Sequence, residues 1–126
     1  MTTLVVCIDR AGDLVLGTDP PVVGRDAVES LVVDVGVEDP EDSQVNCLLE
    51  ALRVSRDLDA SGDETVVAVL AGTEDTISAD RAIARQVEDL IDEHDPSSAV
   101  VVVDSAEDER LVAIVESRLT VAAVDR

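Results

Sequence analysis

Thr65-Val66-Val67-Ala68-Val69-Leu70-Ala71 decides the fold. After Thr65 it has no polar position, so no alternate residue is set aside to face water. A strand of this kind has to be covered on both faces, as in a parallel sheet flanked by helices. Three more runs read the same way: Leu4 to Ile8, Ala99 to Val103, and Leu119 to Val124. Apolar residues at spacings of three and four lie between them and predict helices. These are Ala27, Val28, Leu31, Val32 and Val35; Val45, Leu48, Leu49 and Leu52; Ile83, Val87, Leu90 and Ile91; and Leu111, Val112, Ile114 and Val115. Asp39-Pro40 reads as an N-cap with proline at the first helical position, and Gly62 and Asp95-Pro96 read as stops. The predicted order is β-α-α-β-α-β-α-β. Right-handed crossovers turn that order into a three-layer α/β/α domain with a mostly parallel four-stranded sheet, Rossmann-like or flavodoxin-like.

The 126 residues suit one domain, 1–126, with one continuous core. Phe, Trp and Tyr are absent, so Val, Leu, Ile and Ala must fill that core. Nine Arg and no Lys stand against 29 Asp plus Glu, for a net charge of −20. Such a surface repels phosphate backbones and anionic lipid headgroups, which excludes nucleic acid as a partner. Self-repulsion is screened where the Debye length falls to ~3 Å, near 1 M salt, so an acidic, lysine-free chain points to a halophilic, salt-rich cytoplasm. Cys7 and Cys47 lack metal-ligand spacing, and the N-terminus has no secretory pattern, so a reduced, cytoplasmic domain is expected. The apolar runs fall well short of the ~20 residues that cross a bilayer.

Open parallel sheets bind ligands beyond the carboxyl ends of their strands. Asp9 and Arg10 leave the first strand, Gly72, Glu74 and Asp75 the second, and Asp104, Ser105, Glu107 and Asp108 the third. Asp9, Asp104, Glu107 and Asp108 form a candidate Mg²⁺ set, since a hard cation takes a few carboxylate oxygens and keeps water for the rest. In placement they resemble the acidic sites of magnesium-dependent phosphoryl-transfer domains of the topoisomerase-primase type. The plain structural reading is that Asp104 or Ser105 caps a helix whose first turn holds Glu107 and Asp108. Arg10, Arg25 and Arg110 begin or flank loops at the expected ligand edge, where a guanidinium holds phosphate or carboxylate. With Asp9, Gly72 and Ser105 they make the candidate ligand-binding set. The long segment from Asp9 to Gly24 is a further candidate for function.

Without Lys there is no phosphate-loop lysine and no Schiff base, and neither a Gly-x-Gly-x-x-Gly turn nor a Gly-x-Ser-x-Gly elbow occurs. The single histidine, His94, falls near the end of the third helix, ~25 Å from the ligand edge at 1.5 Å per residue. It reads as a cation at a helix C-terminus. Cys7 reads as a small core residue.

Five segments carry a resemblance that spans almost the whole chain: Cys7-Ile8-Asp9-Arg10, Pro21-Val22-Val23-Gly24-Arg25, Asp39 to Asn46, Ala79 to Gln86, and Asp104 to Glu109. Together they are similar to the archaeal domain of unknown function 373 family. The resemblance implies a soluble N-terminal domain followed by several transmembrane helices, with no established activity to carry over. Leu14 to Asp19 departs from the family by lacking a basic residue, which weakens an anion-binding role for the first loop. The expected function is then a cytoplasmic domain that senses a small ligand or ion and signals to a membrane part beyond Arg126. An oligomerisation module, pairing as a homo-oligomer, and a Mg²⁺-dependent phosphoryl-transfer or hydrolase enzyme are the alternatives.

Overall fold

The computed structural model describes residues 2–10, 12, 20–39, 41, 43–73, 75–103 and 109–125. In chain order these form β1 (Thr2–Asp9), β2 (Val22–Val23), α1 (Arg25–Glu38), α2 (Ser43–Ala60), β3 (Glu64–Ala71), α3 (Thr76–His94), β4 (Ser98–Val102), α4 (Glu109–Glu116) and β5 (Val121–Asp125). The sheet order is β2-β3-β1-β4-β5. β1 pairs in parallel with β3 and β4, and β4 in parallel with β5.

The continuous apolar runs have the consequence expected of them. Leu4, Val6 and Ile8 of β1 point to one face, where they join Ile83, Val87 and Leu90 of α3 and Leu111, Val112 and Val115 of α4. Val5 and Cys7 point to the other, where they meet Val28 and Leu31 of α1 and Cys47, Leu48 and Ala51 of α2. β1 is therefore covered on both sides by a largely aliphatic interior, whose buried polar residues among those described are Asp9, Ser55 and Gln86. Burying each Leu or Val contributes about 1.5–3 kcal/mol.

Two features depart from the sequence expectation, one in the strand count and one in a helix cap. Within the segment read as a loop, Val22 and Val23 pair antiparallel with Val69 and Ala68 of β3. The hydrogen bond from Gly24 N to Val67 O (2.8 Å) extends the contact. A two-residue strand is too short to show a period, yet it covers the edge that β3 would otherwise expose. The sheet thus has five strands. Asp39, expected to cap the second helix, instead ends the first: its N–H donates to Val35 O. Its carboxylate accepts from Glu41 N at 3.2 Å, and α2 begins at Ser43. The other punctuation agrees with the sequence reading. Gly62 (φ 99°) follows α2, and Asp95 (φ 48°) closes α3 in the left-handed region.

Strand order sets the switch point of the sheet. From β1 the chain passes through α1 and α2 to β3 on one side of β1. It then crosses back through α3 to β4 on the other side, with its helices on the opposite face. The direction of winding therefore reverses between β1 and β4, and the carboxyl ends of these two strands flank the switch point of the sheet.

Candidate functional site

β1 ends at this switch in Asp9, which is fully buried. Its carbonyl accepts from Gly72 N (2.8 Å) and from Gly12 N (3.2 Å), so the turns after β1 and β3 are clasped backbone to backbone. A Cβ on Gly72 would lie 2.1 Å from the Arg10 carbonyl oxygen and 2.8 Å from Ala79 Cβ. At Gly12, whose φ is 79°, a Cβ would lie 2.5 Å from the Gly72 oxygen. Only glycine fits either place.

The end of β3 is fixed by a side chain. Gln86 of α3 accepts from Ala71 N through Oε1 (2.9 Å) and donates from Nε2 to Ala71 O (2.7 Å). β2 pairs only as far as Val69, so this buried amide takes the place of a missing strand neighbour. α3 then starts with Asp75 as N-cap, its carboxylate accepting from Ser78 N (3.1 Å) and from the Ser78 hydroxyl (2.7 Å). These bonds, the hydroxyl one first, hold the Asp75 carboxyl below its ordinary range. Arg110 in the first turn of α4 donates to Asp80 of α3 at 2.6 Å and ties the two helix starts together. On the opposite face, the Cys47 thiol reaches the Val102 carbonyl (3.5 Å) and brings the start of α2 to the end of β4.

The structure therefore gathers Asp9, Arg10, Gly72 and Arg110 at the carboxyl edge. Arg25 is not among them. It donates to Ser55 Oγ (3.2 Å) and pairs with the Asp59 carboxylate, alongside Thr65 at the start of β3. Thr65 donates to Asp59 (2.8 Å), so the 2.6 Å bond between Ser55 and Thr65 carries the Ser55 proton. Thr65, and after it Arg25, keeps Asp59 below the usual carboxylate range. The physical reason for the displacement is β2, which carries the chain antiparallel along β3, so α1 starts at the amino edge. Asp104, Ser105, Glu107 and Asp108 lie outside the described residues, as does Glu74.

Of the four residues named for Mg²⁺, only Asp9 is described. Among the described residues no group of three or more His, Cys, Asp or Glu is arranged to hold a metal ion. His94 stands in the last turn of α3 at the far edge, 4.0 Å from Glu93. Cys7 and Cys47 are buried thiols in one core cluster. Sequence reading passed over Gln86, although a lone polar residue between Ile83 and Val87 on an apolar helix face is a signal for such a lock. The described edge holds the buried Asp9 carboxylate, the Arg10 side chain and the Arg110 guanidinium, which is paired with Asp80.

Among the described residues no helix is long and apolar enough to cross a membrane. No solved structure matches the chain significantly. An uncharacterized protein of Archaeoglobus fulgidus is 38% identical over 126 residues, covering 98% of this chain and 37% of its own length. An uncharacterized protein of Methanocaldococcus jannaschii is 32% identical over 117 residues, covering 91% of this chain and 32% of its own length. The chain thus spans about a third of the curated relatives it matches. Residues 2–126 match one family from end to end, and the chain belongs to it: Domain of unknown function (DUF373).

Proposed function

We propose that this chain is a regulatory domain that binds a small ligand or ion at the edge formed by the carboxyl ends of β1 and β4. The observation that carries the reading is the reversal of winding at that point, with buried Asp9 at the end of the central strand and α2, α3 and α4 all starting from the same edge. Glycine at positions 12 and 72 lets the backbone at these two positions come within hydrogen-bonding distance of the Asp9 carbonyl. The domain works in a salt-rich cytoplasm, for which the charge of −20 without lysine is the support. In the longer members of the family it reports to a membrane-embedded part.

Thermal unfolding followed by circular dichroism in multimolar KCl tests whether anything binds. A panel of Mg²⁺, inorganic phosphate and nucleoside mono-, di- and triphosphates is added in turn. A ligand present at 100 times its Kd stabilises by about 2.7 kcal/mol, enough to move the midpoint by several degrees. Asp9→Asn is expected to cancel the shift. Equal midpoints throughout the panel, in both proteins, would count against the reading. Turnover of a phosphorylated substrate with Mg²⁺ would instead favour the enzymatic alternative.

A further inference from the structure

We propose that two copies of this chain pair through the outer faces of α1 and α2, about a twofold axis running along the groove between these helices. The inference is independent of the ligand edge. α1 buries Val28 and Leu31. Val33 and Val37, one turn apart, are 62% and 78% exposed, and Leu49 on α2 is 48% exposed. These three large apolar side chains interrupt an otherwise charged outer surface.

Charge says what covers it. Beside those residues runs a cleft of about 410 Å³ lined by Glu29 of α1 and by Leu49, Leu52, Arg53 and Arg56 of α2, with Arg25 at its end. The exposed residues of α1 include Asp26, Glu29, Asp34 and Glu38, whereas α2 presents Arg53 and Arg56. Arg56 is 73% exposed, and its nearest carboxylate, on Asp57, is 3.7 Å away. An acidic helix thus lies beside one whose Arg53 is already held by Glu50 and Asp57 of its own helix, and whose Arg56 is the more exposed of its two arginines.

The helices are antiparallel, because Arg25 at the start of α1 bonds Ser55 and Asp59 near the end of α2. One turn forward in α1 is therefore level with one turn back in α2. Glu29 stands at the level of Arg53, and Val33 at the level of Leu49. A twofold axis along the groove preserves level and exchanges sides. It lays Glu29 of the partner subunit toward Arg56, and Val33 of the partner subunit against Leu49. The patch is self-complementary, as an isologous interface requires. Each copy also carries −20, so the pair needs salt to screen the general repulsion while its apolar centre persists.

Sedimentation equilibrium of the 126-residue chain across protein concentration in multimolar KCl is the test. The expected result is a dimer that weakens as KCl is lowered. Leu49→Asp and Val37→Asp, both at exposed positions, should each raise the dissociation constant by roughly tenfold or more. Glu29→Arg and Arg56→Glu should each weaken pairing, and the two combined should restore most of it, a rescue that no loss of folding produces. A single-chain mass at every concentration and salt would overturn the proposal. So would a dimer indifferent to Leu49→Asp and broken by Ala122→Lys, which would put the contact on the β5 edge.

Discussion

Gln86 holds both main-chain polar groups of Ala71 from inside an aliphatic core, and its removal strands them where water cannot reach. Gln86→Leu is expected to cost roughly 2–4 kcal/mol, read by urea unfolding, because each buried unpaired group costs about 1–3 kcal/mol. Gly72→Ala forces a Cβ onto the Arg10 carbonyl and is expected to cost about 1–3 kcal/mol in the same measurement. Glu50 yields a pH prediction. Hydrogen bonding to the Arg53 guanidinium, foremost, lowers its carboxyl from 4.5 to about 2. A depressed carboxyl stabilises the fold above its ordinary pKa and loses that contribution as pH falls through the folded value. Stability should therefore drop between roughly pH 4.5 and 2, and Glu50→Gln should show a smaller drop over that interval. Glu50 and Arg53 stand one turn apart on α2, but Gln86 and the Arg25–Ser55–Thr65–Asp59 chain were not legible in the sequence as partners. Each joins positions that only the tertiary fold brings together. Asp9, Arg10, Gly72 and Arg110 were legible at the carboxyl edge, because the strand ends alone place them.

At the scale of elements, legibility followed burial. β1, β3 and β4 lie between two helical layers and read as unbroken apolar runs. β5 reads the same way but is an outer strand, with Ala122, Ala123 and Val124 exposed, so an apolar run alone did not distinguish centre from edge. β2 was invisible because two residues carry no period. Among helices, the contrast between Leu90 (1% exposed) and Leu49 (48%) makes a quantitative check. Leu90→Ala is expected to cost about 2–5 kcal/mol through the cavity left in the core. Leu49→Ala should cost a fraction of that in dilute protein. Comparable losses at the two positions would contradict the layer assignment. The sequence period placed both residues on apolar helix faces, and only the packing separates them: Leu90 faces the sheet, and Leu49 lines the outer cleft between α1 and α2.

The whole molecule joins an ordinary aliphatic interior to a surface of unusual charge. Nothing in the core depends on salt, whereas −20 on a chain of 126 residues makes the compact state self-repelling wherever screening is weak. Stability should rise steeply between 0.1 M and 1 M KCl, as the Debye length shrinks from about 10 Å to about 3 Å. Ligand binding is proposed for the edge between β1 and β4. Its most direct test is backbone-resolved chemical-shift mapping of the labelled chain in multimolar KCl, titrated with Mg²⁺, inorganic phosphate and nucleotides. One of these is expected to shift a compact set of amides, Asp9, Arg10, Gly72 and Val103, and Asp9→Asn to remove the effect. Shifts confined to the far edge around Glu64 and His94, or spread evenly over the acidic helix surfaces, would contradict it.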